Sequence, residues 1–261
     1  MSAPAFSARV VLALARRALR SALRRPQFLA PLVLFPSMFL AVNVGGLHGT
    51  TALPGFPKVD GFLDFQLAGA MTQSLLLGGV ATGIATALEI EGGFFDRLVA
   101  SPIPRTAIVL GRLVATGATA VAQVTYFLLL GLLFGATVKG GIPGVLVVYL
   151  IGIVAGVGFG AIGQAIALRA QSASSVQGIF PIVLVVLFAS TAFFPQDLLS
   201  SPVDVVARYN PLSYIADGMR TPIIDGVGWT SVFEGLGAAL FVVLAAGGVA
   251  VLALRGRLRE A

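Results

Sequence analysis

The sequence predicts an all-α polytopic membrane protein, and three observations carry that prediction. Of its 261 residues, 57% are hydrophobic and only 11% are charged, against about 25% charged in a soluble domain. Apolar runs of membrane-spanning length recur along the whole chain. Nearly all the cations lie between those runs, before the first one or after the last, which is the distribution that membrane orientation imposes. This pattern excludes a soluble enzyme, a disordered tail and a cytosolic binding module. It also accounts for the basic pI near 10.5 without a nucleic-acid partner.

Residues 1–26 precede the first span and read as an amphipathic interfacial helix. Arg9, Arg16, Arg17, Arg20 and Arg24 share one face at 100° per residue, opposite Val11, Leu12, Leu19 and Leu23. Such a segment lies flat on the cytoplasmic leaflet. A cleaved signal or transit peptide is the other reading of an Arg-rich, acid-poor start, but the long polar region and the full-length apolar run after it favour the interfacial helix.

Six spans follow, at about 27–47, 65–88, 107–136, 143–168, 176–195 and 232–254, in a single transmembrane domain over 1–261. With the N-terminus inside, the cytoplasmic segments hold thirteen Lys or Arg and the external ones four, while acids divide four inside and seven outside. That bias predicts both termini in the cytoplasm. The arrangement places no Lys, Arg or Asp at the bilayer centre, where each costs about 2.5–3.5 kcal/mol on insertion scales. Gly152, Gly156 and Gly160 repeat every fourth residue in the fourth span, which predicts close helix packing there. Gly79/Gly83 and Gly131/Gly135 show the same spacing once each. The Ala-, Val- and Arg-rich, Lys-poor composition is that of a GC-rich bacterial genome, so the expected location is a bacterial cell (inner) membrane.

Two stretches outside the spans carry the functional signal. The first is EIEGGFFDRLVASPIPRTAIVLGR, residues 89–112. Phe94, Phe95, Leu98 and Val99 fall on one side of a short helix, Asp96 and Arg97 on the other, and Pro102 and Pro104 end it. Such a helix either rests on lipid headgroups or plugs into a groove on a cytoplasmic protein. The second stretch, 195–229, is too polar to span. It reads as two short external helices broken near Asn210–Pro211, on or dipping into the outer leaflet.

Together these stretches resemble the six-span permeases of ABC-2 type exporters, most closely the drug-efflux branch typified by the daunorubicin-resistance permease. The family's loop after the second span is similar to E-x-E-x-G-x-x-[ED]-x-L-x-x-[ST]-P. Glu89, Glu91, Gly93, Asp96, Leu98, Ser101 and Pro102 fall on those positions. The segment NPLSYIADGMR, with Asn210, Pro211, Asp217 and Arg220, is similar to the signature before the last span. Gly92 and Phe94 depart from the family, which often has a basic residue and Thr there. The resemblance implies two permease subunits, as homodimer or heterodimer, on cytoplasmic ABC ATPase subunits that bind the ATP and Mg. It makes Phe94, Phe95, Asp96 and Arg97 the surface of a coupling helix seated on the ATPase, with Glu89 and Glu91 holding the start of the loop, in one reading by pairing with Arg on the N-terminal helix.

The chain itself offers no catalytic constellation. A G-x-x-x-x-G-K-[ST] phosphate loop needs a Gly-Lys pair, and the two lysines follow Pro57 and Val138. There is no Cys, and His48 is the one histidine, so no metal site and no Ser-His nucleophile are expected. A secondary transporter or channel is the competing function, yet such carriers usually place an ionisable group near the midplane. Here the midplane polarity is neutral: Gln73, Thr82, Gln123, Gln164 and Thr191. The cargo expected of so apolar a path is an amphipathic drug, lipid or glycolipid, with Gln73, Gln177, Phe180 and Phe188 as candidate lining. A polysaccharide exporter of the same superfamily is the alternative, with Phe193 and Phe194 joining the aromatic set.

Overall fold

The structure is a computed structural model that describes residues 8–24 and 26–260; Arg25 and the first seven residues lie outside it, as do the side chains of Phe28, Arg105 and residues 255–260. The part of the interfacial-helix reading that rests on residues 1–7 and on Arg25, and the charge of the last three arginines, therefore fall outside the described residues.

Among the described residues the fold is helical throughout. Helix α1 (Ala8–Leu23) is followed by α2 (Pro26–Leu47), α3 (Phe62–Glu91), the short α4 (Phe94–Ala100), α5 (Arg105–Leu133) and α6 (Gly141–Ala170). Then come α7 (Ala173–Gln177), α8 (Phe180–Phe188), α9 (Val203–Tyr209), α10 (Pro211–Ile224) and α11 (Trp229–Glu260). Five helices, within α2, α3, α5, α6 and α11, are long and apolar enough to cross a membrane.

The fifth apolar stretch departs from the expected continuous helix over 176–195. It is two short pieces, α7 and α8, and residues 189–195 are irregular. Pro181 explains the interruption, because it has no N–H to donate to the Gln177 carbonyl one turn back. The helical part, 173–188, covers only about 24 Å at 1.5 Å per residue.

Helices α3 and α6 form the centre, and α2 and α11 lie outermost: 72% of the apolar window of α3 is buried, against 22% for each of the two outer helices. The fourth-span glycines do what their spacing predicts. Gly152, Gly156 and Gly160 face Val124, Ala120 and Thr116 of α5, and an added Cβ at each would come within 2.7 Å or less of those side chains. A step of four residues on α6 is thus matched by a step of four on α5, the small-residue packing that substitutes in lipid for a hydrophobic drive. On the other side of α6, a Cβ on Gly79 would stand 2.5 Å from the Phe159 carbonyl oxygen, and one on Gly163 would run into the Gly79 carbonyl. Backbone offers no flexible end to move aside. Gly163→Ala is therefore expected to destabilise the detergent-purified protein by about 1–3 kcal/mol, the usual range for overpacking, read as a lowered Tm. Gly237→Ala, where a Cβ meets nothing within 4 Å, is the neutral control.

A polar pin ties α2, α3 and α5 together. Pro36 inside α2 leaves the Leu32 carbonyl without its helical donor. The Ser74 hydroxyl of α3 donates to that carbonyl at 2.6 Å. Gln123 Nε2 of α5 donates in turn to the Ser74 carbonyl and hydroxyl at 2.8 and 3.0 Å. The proline does not weaken the span, because a neighbouring helix satisfies the group it orphans.

Helix α1 lies along α5 rather than standing off alone. Val11 and Ala15 are buried against the bundle, and a Cβ on Gly111 would meet the Leu14 Cβ at 2.7 Å. Leu12 and Leu23 remain exposed, which leaves an apolar strip for the membrane.

Candidate functional site

Helix α4 is set by two glycines and two prolines. The Gly92 N–H closes α3 on the Leu88 carbonyl at 3.0 Å, and Gly93 takes φ +67°, a left-handed conformation that favours glycine. Ser101 is extended, as a residue before proline prefers, and its hydroxyl donates to the Leu98 carbonyl at 2.6 Å. Pro104 then caps α5.

The apolar side of α4 packs on the bundle of its own chain. Phe95 is fully buried in a cluster with Ile90 of α3, Ile108 and Val109 of α5, Leu168 of α6 and Leu254 of α11, and Leu98 and Val99 pack against the same cluster. This corrects the expectation that Phe95 is a docking anchor: the ring roots α4 into the ends of four long helices of its own chain. Phe94 is half-buried, with the Arg17 guanidinium 3.6 Å from its ring centre, a cation–π contact. The side turned away from the bundle carries Glu91, Gly92, Asp96, Arg97 and Ala100, all exposed.

The two glutamates have separate partners. Glu89 joins three helices: one carboxylate oxygen accepts from Arg17 of α1 at 3.2 Å and the other from Arg112 of α5. Arg112 and Glu89 side chains are 9% and 16% exposed, so this is a largely buried pair. Removing one member of such a pair typically costs about 3–5 kcal/mol, because the other charge is left unpaired. Glu91 accepts instead from the Ala173 N–H at 2.8 Å and so caps the N-terminus of α7. The sequence held a signal for Glu89–Arg112: opposite charges at the adjoining ends of two antiparallel spans joined by a short loop stand at one level.

The second site is the Asn210–Arg220 segment, where two short helices, α9 and α10, meet at Asn210–Pro211 as the sequence predicts. Helix α10 is buried against α3, α6 and α11, and Arg220, counted above among the external cations, is 4% exposed. Arg220 donates from Nε to the Phe65 carbonyl at 3.1 Å and from Nη2 to the Thr191 and Ala192 carbonyls at 2.9 and 2.7 Å. Its Nη1 pairs with Asp217, and its guanidinium lies 4.0 Å from the Phe65 ring centre. Asp217 also accepts from the Thr191 hydroxyl at 2.9 Å. Asn210 caps α10 through the Leu212 N–H at 3.0 Å and donates to the Val186 and Ala189 carbonyls at 2.7 and 2.8 Å. Pro211 supplies the first turn, where no N–H is needed.

Every carbonyl gripped by Asn210 and Arg220, other than that of Phe65, belongs to residues 186–192, at the end of α8 and just beyond it. The motif thus supplies donors to backbone that has left the helix, as irregular chain at membrane depth requires. Gly69 admits this chain, since a Cβ there would collide with the Ala192 carbonyl.

The candidate path residues do not converge. Gln73 is fully buried, and neither amide atom has a hydrogen-bond partner; the same holds for Gln164. Gln177 is exposed on α7. Phe180 packs edge-on against Phe35, while Phe188 meets Phe39 and Phe193, so both aromatics seal α8 against α2.

Five long apolar helices, a rooted turn helix and a buried motif define a multi-pass helical membrane protein. The sequence profile of the ABC-2 type transporter family matches residues 9–224, and the chain belongs to that family. It is 29% identical over 229 residues to the daunorubicin resistance ABC transporter permease protein DrrB1 of Streptomyces coeruleorubidus, covering 87% of this chain and 77% of that one. It is 26% identical over 210 residues to the "Putative transport permease ycf38" of Porphyra purpurea, covering 80% and 72%. The protein of the same name from Pyropia yezoensis is 24% identical over 208 residues, covering 79% and 70%.

Proposed function

We propose that this chain is the membrane subunit of an ATP-driven exporter, that it works with a second permease subunit, and that α4 transmits the ATPase stroke. The observation that carries the reading is the construction of α4. A seven-residue helix is fixed by one buried ring to α3, α5, α6 and α11, and its opposite face is polar and exposed. A force applied to Asp96, Arg97 and Ala100 reaches four long helices through Phe95 without a flexible joint. Glu89 adds α1 to the same unit.

ATP hydrolysis belongs to a separate cytoplasmic subunit in this reading, since neither lysine of the chain follows a glycine. The cargo is an amphipathic drug, lipid or glycolipid. The relative named for daunorubicin resistance and the largely apolar spans both support that class. Arg220, buried within the bundle, already has a carboxylate partner in Asp217.

Affinity purification from native membranes in mild detergent tests the proposal. Co-purification of a cytoplasmic chain bearing a G-x-x-x-x-G-K-[ST] loop is the expected result. Recovery of this chain alone, under conditions that retain other membrane complexes, would replace the exporter by a secondary transporter or channel.

A further inference from the structure

A cavity of about 340 Å³ lies between α1, α2, α3 and α5, with Gly92 and Phe94 at its edge. Its wall on α3 runs from Gly78 to Glu89, about 17 Å at 1.5 Å per residue. It is therefore a slot that begins at the loop end of the spans and reaches toward mid-bilayer. Small residues, Gly78, Ala81 and Ala85, open it along α3, and Leu29 and Leu32 of α2 close the other side.

The two ends differ in chemistry. The deep part is apolar, relieved only by threonine hydroxyls, and Thr82 and Thr116 already hydrogen-bond each other at 3.1 Å. The shallow end holds Arg17, Glu89 and Arg112, two guanidiniums to one carboxylate. Each guanidinium spends one nitrogen on Glu89, and each carries five N–H donors. The end is thus net positive with donor capacity left over. Arg20 and Arg24 continue the same face of α1, exposed, at the next turns.

We propose that this slot binds an anionic phospholipid of the cytoplasmic leaflet, with an acyl chain along α3 and α5 and the phosphate between Arg17 and Arg112. The leaflet rests on the orientation argued from the loop charges; the site does not depend on it, nor on the ATPase partner. Charge selects the occupant: an acidic headgroup neutralises the excess guanidinium, whereas a cation would add to it in a poorly solvated place. Because Arg17 also covers Phe94, the bound headgroup would sit against the first residue of α4.

The test uses purified full-length protein in phosphatidylcholine nanodiscs carrying trace phosphatidylglycerol with a photoactivatable diazirine on its acyl chain. Label is expected in peptides covering 78–92 and 112–119, displaced by excess unlabelled phosphatidylglycerol. Ala85→Phe, which fills the slot at a residue outside the core, should remove that label. Arg17→Gln should weaken binding about tenfold, the loss of one charge-assisted hydrogen bond, with the Tm held within a few degrees. Because displacement is also read on the unmodified protein, a misfolded variant does not decide the matter. Label no stronger on 78–92 than on the outer face of α11, or unchanged in a folded Ala85→Phe protein, would overturn the proposal. Removal of the label by millimolar inorganic phosphate would overturn the lipid assignment in favour of a free-anion site.

Discussion

Replacing Arg220 by Leu is expected to destabilise the protein by about 3 kcal/mol, since each buried carbonyl left without a donor costs about 1–3 kcal/mol. The substitution leaves Asp217 without its partner and withdraws the donors from the Phe65, Thr191 and Ala192 carbonyls. The Thr191 and Ala192 carbonyls lie where the chain has left helix α8, so no helical N–H replaces the guanidinium there. Arg220→Lys should recover little, because an ammonium presents a point charge where three carbonyls and a carboxylate are met by a planar fork. Tm in detergent and the yield of monodisperse protein read the effect. A stable Arg220→Lys variant would show that positive charge alone suffices, and that the forked geometry does not hold residues 186–192.

The second large effect separates the two faces of α4. Charge reversal on the exposed face, Arg97→Glu, is expected to leave Tm nearly unchanged, since surface substitutions usually stay within about 0.5 kcal/mol. The same variant should lower ATP-driven transport in vesicles by about tenfold or more, as truncation of an interface hot spot does. Phe95→Ala should behave in the opposite order. It empties a fully buried ring site among Ile90, Ile108, Val109, Leu168 and Leu254, which costs about 3–5 kcal/mol, and it loses transport because the protein unfolds. Full transport in the charge-reversed variant would remove α4 as the contact with the ATPase.

Much of the helical framework was legible from composition and periodicity, because in lipid every backbone group is satisfied within its own helix. The fourth-span glycine ladder was legible for a similar reason: a repeat of four residues needs no knowledge of the partner helix to mark a close-packed face. The resemblance suggested that Glu89 and Glu91 pair with arginine of the first helix; in the structure Glu89 meets Arg17 and also Arg112, whereas Glu91 meets the Ala173 N–H. Other features stayed hidden. Phe94 and Phe95 look equivalent in sequence, yet one is covered by Arg17 and the other is rooted in the bundle. Periodicity separates apolar from polar faces but does not say which apolar face meets its own chain. Arg220 looked like a loop cation because its ligands are carbonyls, and carbonyls are present at every position of every sequence.

The sequence by itself determined the membrane class, the positions of the long helices, the family and the two motifs, since each of these is local or periodic. Tertiary structure decided that the fifth apolar stretch is a broken helix, that the Asn210–Arg220 motif holds that break, and that a slot with a positive end lies under α1. Those features arise where backbone from distant parts of the chain converges, at Phe65, Val186–Ala192 and Arg220 or at Arg17, Glu89 and Arg112. Contacts of that kind join residues far apart along the chain, so no local spacing in the sequence records them.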